Sequence, residues 1–107
     1  MKALPLSEPV LLVLLSLSDR PRHGYSIMKD VEQISRGRVV LSTGTLYGAL
    51  HRLLAQAWIE RYGQGDGSRD SRAYRLTSRG RQNLQSEIAR MKDLAKLASL
   101  RLAHKET

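Results

Sequence analysis

The chain has 107 residues, three histidines, no cysteine and a formal net charge of +8. That length suits one domain with a modest core, and the missing cysteine excludes a disulfide framework, a thiolate metal site and a thiol switch. Aromatic residues make up only 5%, with no Phe, so the core must come from Leu, Ile, Val and Ala, which favours packed helices.

The charge is unevenly placed. Residues 20–52 hold six Lys or Arg against two acids, and residues 61–81 repeat that ratio. Such a basic band is the electrostatic footprint of a polyanion binder; charge kept only for solubility is the bland alternative.

In chain order, Ser7, Glu8 and Pro9 open a first helix with a cap, an acid in the first turn and a proline where no amide bond is lost. Residues 10–17 are apolar nearly all round, which marks a helix buried on most sides. The run from Val10 to Leu15 is too short to span a bilayer. Lys2 precedes it, but no small-residue cleavage pattern follows, so the expectation is an intracellular, cytoplasmic protein with no membrane partner. Asp19-Arg20-Pro21-Arg22 breaks the chain.

A second helix is predicted from about His23 to Ser35, with Tyr25, Ile27, Met28, Val31 and Ile34 at helical spacing and Gly37 closing it. Val39, Val40 and Leu41 suggest a short strand that pairs with something downstream. A third helix begins on Ser42 and runs over 43–55. Its stripe of Leu46, Leu50, Leu53 and Leu54 faces a core, while Thr43, Gly44, Tyr47, Gly48, His51 and Arg52 lie opposite. Each helical glycine costs about 1 kcal/mol relative to alanine, so two on one face ask for a close neighbour, and a DNA groove is the obvious one.

Trp58–Tyr62 and Arg72–Leu76 alternate like strands around a glycine-rich loop, forming a hairpin with Tyr74 and Leu76 inward and Arg75 outward. Arg69 and Arg72 sit at or near its tip. Thr77 caps a long last helix on which Leu84, Ile88, Met91, Ala95, Ala98 and Leu102 follow the steps of a coiled-coil seam. Leu94, Leu97 and Leu100 widen that surface. The expectation is a homodimer; the alternative is that the helix folds back on its own domain.

No catalytic constellation rises above chance. His23, His51 and His104 lack ligand spacing, so no metal site is expected. Gly63, Gly65 and Gly67 read as a loop, because no capped helix follows to cradle a phosphate. Capping explains the hydroxyl residues at helix starts. The expectation is therefore a non-enzyme with no cofactor.

The second and third helices form a helix-turn-helix plan. Gly24 and Tyr25 begin the second, where free amides hold a phosphate, Tyr25 being either a phosphate contact or a core aromatic. Thr43, Thr45 and Tyr47 reach phosphates or bases from the third helix. Arg52 and His51 do so too, unless they are only its solvated side.

Taken together, Leu41-Ser42-x-Gly44-Thr45-Leu46-Tyr47, then Leu50-x-Arg52-Leu53, then Tyr74-x-Leu76-Thr77-x-x-Gly80-Arg81, resembles the PadR family of bacterial transcriptional regulators. His23-Gly24-Tyr25 matches as well, and the likeness runs over about residues 10 to 90. It implies a mainly α winged helix-turn-helix with a small β-hairpin, occupying 1–76, and a C-terminal dimerisation helix over 77–107, as in the short subfamily. It further implies a repressor released by a small hydrophobic or aromatic effector.

Two departures stand out. Thr43 replaces the family's usual Pro, and Ala57-Trp58-Ile59 replaces Gly-Leu-Ile, which makes Trp58 a core residue under the hairpin rather than a ligand contact. No Trp, Tyr or Phe follows Tyr74, so stacking of a ligand on the last helix does not carry over. The resulting expectation is a homodimer that binds double-stranded DNA at an inverted-repeat operator, with 43–55 in the major groove and the Arg69/Arg72 wing along the minor groove. The alternatives are a non-specific architectural nucleic-acid binder and a winged-helix protein-interaction module.

Overall fold

Hydroxyl caps begin three of the helices. The Ser7, Ser42 and Thr77 oxygens accept from the amides of Val10, Thr45 and Gly80 at 3.4, 3.1 and 3.0 Å, satisfying donors that the helix itself leaves free. In the computed structural model, which describes residues 6–63 and 72–104, the elements are α1 (Glu8–Ser16), β1 (Arg22–His23), α2 (Gly24–Ile34), α3 (Thr43–Ala55), β2 (Ile59–Tyr62), β3 (Ala73–Leu76) and α4 (Ser78–Ala103). The predicted caps and hairpin strands are in place, and the sheet is antiparallel with order β1-β3-β2.

The third strand comes from an unexpected place. Val39–Leu41, predicted as a strand, carries no strand structure. The Ser35 hydroxyl takes over the backbone there, accepting from the Val39 amide at 3.0 Å and donating to its carbonyl at 3.3 Å, so the segment finds its bonds without a sheet partner. Leu41 drops into the core while Val40 stays exposed. The pairing with β3 falls instead to Arg22 and His23, opposite Tyr74 and Ala73.

The core joins one face of every helix. Val13 and Leu14 of α1, Ile27 and Val31 of α2, Leu46, Leu50 and Leu53 of α3, Ile59 and Tyr74 of the hairpin and Leu84 of α4 all lie inside. Leu15 is partly exposed, so α1 is less fully enclosed than its composition suggests. Arg22 ties the turn together from within: its Nε donates to the Ser16 carbonyl at 2.7 Å and lies 3.7 Å from Asp30. Arg81 reaches from α4 to the Ser18 carbonyl at 3.1 Å.

Both helices of the helix-turn-helix close in the same way. After α2, the Gly37 amide bonds the Glu32 carbonyl at 2.8 Å, with Arg36 at φ 55 and Gly37 at φ 79. After α3, the Trp58 amide bonds the Leu53 carbonyl at 3.0 Å, with Ala57 at φ 62. These are Schellman ends, whose left-handed residue is most often glycine; here Arg36 and Ala57 hold those places.

α4 divides into two parts. Leu84 is 3% exposed and Ile88 packs on the same core. Leu84 therefore belongs to the domain's own interior and has no surface left to give to a seam. Glu87 bonds both Arg90 and the Leu6 amide; the Arg90 hydrogen bond foremost holds its carboxyl below the ordinary range. Beyond residue 88 the helix leaves the body. Met91, Leu94, Leu97, Leu100 and Leu102 are exposed, as are Ala95 and Ala98.

Candidate nucleic-acid interface

On α3, Leu46, Ala49, Leu50 and Leu53 are buried, the amphipathic division expected of a helix seated on a core. Thr43, Gly44, Gly48, His51 and Arg52 are exposed on the other side. A β-carbon placed on Gly44 or Gly48 would meet nothing within 4 Å. No contact inside the described chain asks for glycine at either position, although each weakens the helix by about 1 kcal/mol.

Tyr47 does not share that open face. It is half-buried and packs against the core, and its hydroxyl lies 2.4 Å from where a β-carbon on Gly24 would stand. Glycine at 24 thus lets the start of α2 close on the ring from α3. Tyr25, next in line, is 64% exposed with the Lys29 ammonium 5.6 Å from its ring centre. That removes the core-aromatic alternative for Tyr25 and leaves it beside the amino end of α2. At the start of α3, the Ser42 hydroxyl donates to the Thr45 hydroxyl at 2.9 Å while accepting from its amide. Thr45 is therefore held in the cap, and Thr43 projects without that constraint.

The described arginines of the hairpin are spread along its strands, Arg61 opposite Tyr74 and Arg75 opposite Glu60. Arg72 is half-exposed just before β3; Arg69 lies outside the described residues. Arg75 is engaged by its own sheet, with Nε 2.6 Å from Glu60 and the guanidinium 4.9 Å from the Tyr62 ring centre. Among the described residues no group of three His, Asp or Glu side chains converges to hold a metal ion, and no helix is long and apolar enough to cross a membrane.

The junction that fixes hairpin to helices escaped the sequence. The Thr77 hydroxyl donates to the Ala57 carbonyl at 2.6 Å and accepts from Gly80, while the Thr77 amide bonds the Trp58 carbonyl at 3.1 Å. A β-carbon at Gly80 would lie 1.9 Å from that same carbonyl oxygen, so glycine is the residue that lets α4 start this close. Trp58 itself is half-buried against the core, as expected. The spacing Thr77-x-x-Gly80 was a visible signal; its partner nineteen to twenty-two residues earlier was not.

A helix-turn-helix whose second helix is exposed along one side, followed by a hairpin wing, defines the winged helix class of DNA-binding proteins. Residues 12–86 match the profile of the transcriptional regulator PadR-like family, and the chain belongs to that family of DNA-binding transcriptional regulators. A PadR family regulator from Clostridium difficile is similar over 90% of this chain and 99% of its own, with 26% identity and a TM-score of 0.73. A PadR-like regulator from Bacillus cereus shares the fold at 17% identity and TM-score 0.74, over 91% of this chain and 93% of that one. Bacillus subtilis PadR, whose structure was solved in complex with operator DNA, shares the fold at 19% identity and TM-score 0.66, over 77% of this chain and 47% of that one. In sequence, an uncharacterised 37.1 kDa protein of a Streptomyces fradiae transposon is 40% identical over 92 residues, covering 83% of this chain. The present chain spans 24% of that relative's length.

Proposed function

We propose that this chain is a cytoplasmic, sequence-specific repressor that binds an inverted-repeat operator as a homodimer and is released by a small hydrophobic or aromatic effector. The observation that carries the DNA-reading part is the open face of α3, where Gly44 and Gly48 have no partner inside the described chain that needs them. A duplex seated there brings base edges close to the helix backbone. Thr43, Thr45, His51 and Arg52 then contact bases or phosphates, and Tyr47 acts from the seam with Gly24, beside Tyr25 at the start of α2. Arg69 and Arg72 belong to the wing, with Arg72 as a backbone contact.

The exposed apolar side chains of α4 beyond Ile88 support the dimer, since Met91, Leu94, Leu97, Leu100 and Leu102 form more open hydrocarbon than a helix end leaves to water without cause. In that dimer Ile88, Met91, Ala95, Ala98 and Leu102 make the seam and Leu84 supports it from the core. Family membership supports the repressor and effector roles.

Selection of bound fragments from genomic DNA tests the proposal. The expected outcome is an enriched site with two-fold symmetry, half-sites about one helical turn apart, and at least about a thousandfold preference over random duplex at physiological salt. Equal affinity for both duplexes overturns sequence-specific reading in favour of architectural binding.

A further inference from the structure

A second feature lies where the open face of α3 ends. Between the last turns of α3 and strand β2 runs a groove of about 600 Å3, open to solvent along its length. Its floor is aliphatic, formed by Leu54, Ala55, Ala57 and Ile59, and among the described residues no Trp, Tyr or Phe lines it. His51 and Arg61 also line it, and among the described residues neither enters an ion pair. Among the described residues the acid in the lining is Glu60, which is paired with Arg75 at 2.6 Å. Thr77, also in the lining, has its hydroxyl committed to Ala57 and Gly80. β2 is an edge strand, so one row of its peptide groups also faces outward.

A hydrocarbon floor without a ring to stack on, beside an unmatched guanidinium, suits a chain with an acidic head. We infer that this groove is a binding site for a medium-chain aliphatic carboxylate, its alkyl chain on Leu54, Ala55, Ala57 and Ile59 and its carboxylate on Arg61. A guanidinium meets a carboxylate in a charge-assisted, commonly two-pronged hydrogen bond, and the groove is large enough in volume to take an alkyl chain while leaving one side of it to water. His51 also lines the groove and belongs to the open side of α3, so an occupant touches the helix proposed to read DNA. The inference rests on the proposed function for that consequence, and it narrows the effector class from hydrophobic or aromatic to aliphatic and acidic. The binding itself requires no DNA.

The test is an amide NMR titration of the whole chain, without DNA, using sodium octanoate, sodium acetate and octylammonium chloride as probes. Octanoate should give saturable shifts confined to residues 51–61 and Thr77, at least about tenfold tighter than acetate, because each buried methylene adds up to about fourfold in affinity. Octylammonium should not saturate there. Arg61→Gln, a change at an exposed position that keeps the fold, should weaken octanoate at least about fivefold. Absence of saturation at these residues, equal binding of octylammonium, an unchanged affinity in Arg61→Gln, or shifts centred on Leu94, Leu97 and Leu100 of α4 would each overturn the site. Since no duplex is present, failure here leaves the DNA reading intact, and failure of the fragment selection leaves this site intact.

Discussion

Glycines 24 and 80 and glycines 44 and 48 all sit in helices, yet the two pairs are there for opposite reasons. At 24 and 80 a β-carbon would strike Tyr47 or the Trp58 carbonyl, so glycine serves the seams by which α2 and α4 close on their neighbours. At 44 and 48 a β-carbon would stand in open space. Gly48 lies in a helix interior, where glycine costs about 1 kcal/mol relative to alanine, while Gly24, Gly44 and Gly80 lie in the first turns of their helices. What differs is who benefits. The inner pair lets the fold assemble; the outer pair serves no contact inside the described chain, and the proposed duplex is what would use it. Substitution by alanine, the smallest possible change, therefore splits the pairs by the sign of the stability effect.

Gly80→Ala should give the largest change. The Trp58 oxygen cannot withdraw easily, because it accepts from the Thr77 amide at 3.1 Å and belongs to the same Schellman end that closes α3. Relieving a 1.9 Å approach means moving the start of α4 or the hairpin, at a cost of about 3 kcal/mol or more. In a domain of this size that lowers Tm by about 10 °C or more, read by circular dichroism. A fall of less than about 3 °C would mean that the junction is soft.

Gly48→Ala should move both observables the other way. Stability should rise by about 1 kcal/mol, or roughly 4 °C in Tm, while affinity for the selected operator fragment falls at least about tenfold, equivalent to about 1.4 kcal/mol. The opposed signs make the comparison sharp. A variant that melts higher and binds as tightly as the parent would remove the external reason for the outer pair, and with it the main support for α3 as the reading helix.

Much of this arrangement was legible because it is local. Ser7, Ser42 and Thr77 announced their helices, the leucines of α3 announced its buried side, and alternation about a glycine-rich loop announced β2 and β3. Those signals need only neighbours within a turn or a strand. The sheet's third strand was not legible, since two residues carry no periodicity and Arg22 finds Tyr74 fifty-two positions away. Val39–Leu41 looked more like a strand by composition, but Ser35 satisfied its backbone first. Distance in sequence also hid the role of Arg22, which read as one more charge in a basic band and is a clamp between Ser16 and Asp30. Tyr47 was placed on the open face by helical spacing, and only the packing of α2 on α3 turns it into the seam. Leu84 fitted a heptad step equally well as seam or as core; burial in the single chain assigns it to the core.

The smallest expected effect concerns a position where the chain departs from glycine instead of using it. Ala57 closes α3 at φ 62, a left-handed conformation that costs an alanine roughly 1–2 kcal/mol because its β-carbon crowds the following carbonyl. The surrounding bonds compensate: the Ala57 and Trp58 amides reach the Leu54 and Leu53 carbonyls at 3.0 Å each, and Thr77 pins the Ala57 carbonyl at 2.6 Å. Ala57→Gly keeps all of these and removes the crowding. It also gives the unfolded chain more freedom, which takes back about 0.4–1 kcal/mol. The difference leaves a net stabilisation of about 0.5–1 kcal/mol, seen as a rise of roughly 2–6 °C in Tm. A lower Tm would mean that the Ala57 methyl contributes more through packing than its backbone conformation costs. In either direction the measurement separates a glycine demanded by backbone angle from the inner pair, where glycine is demanded by space.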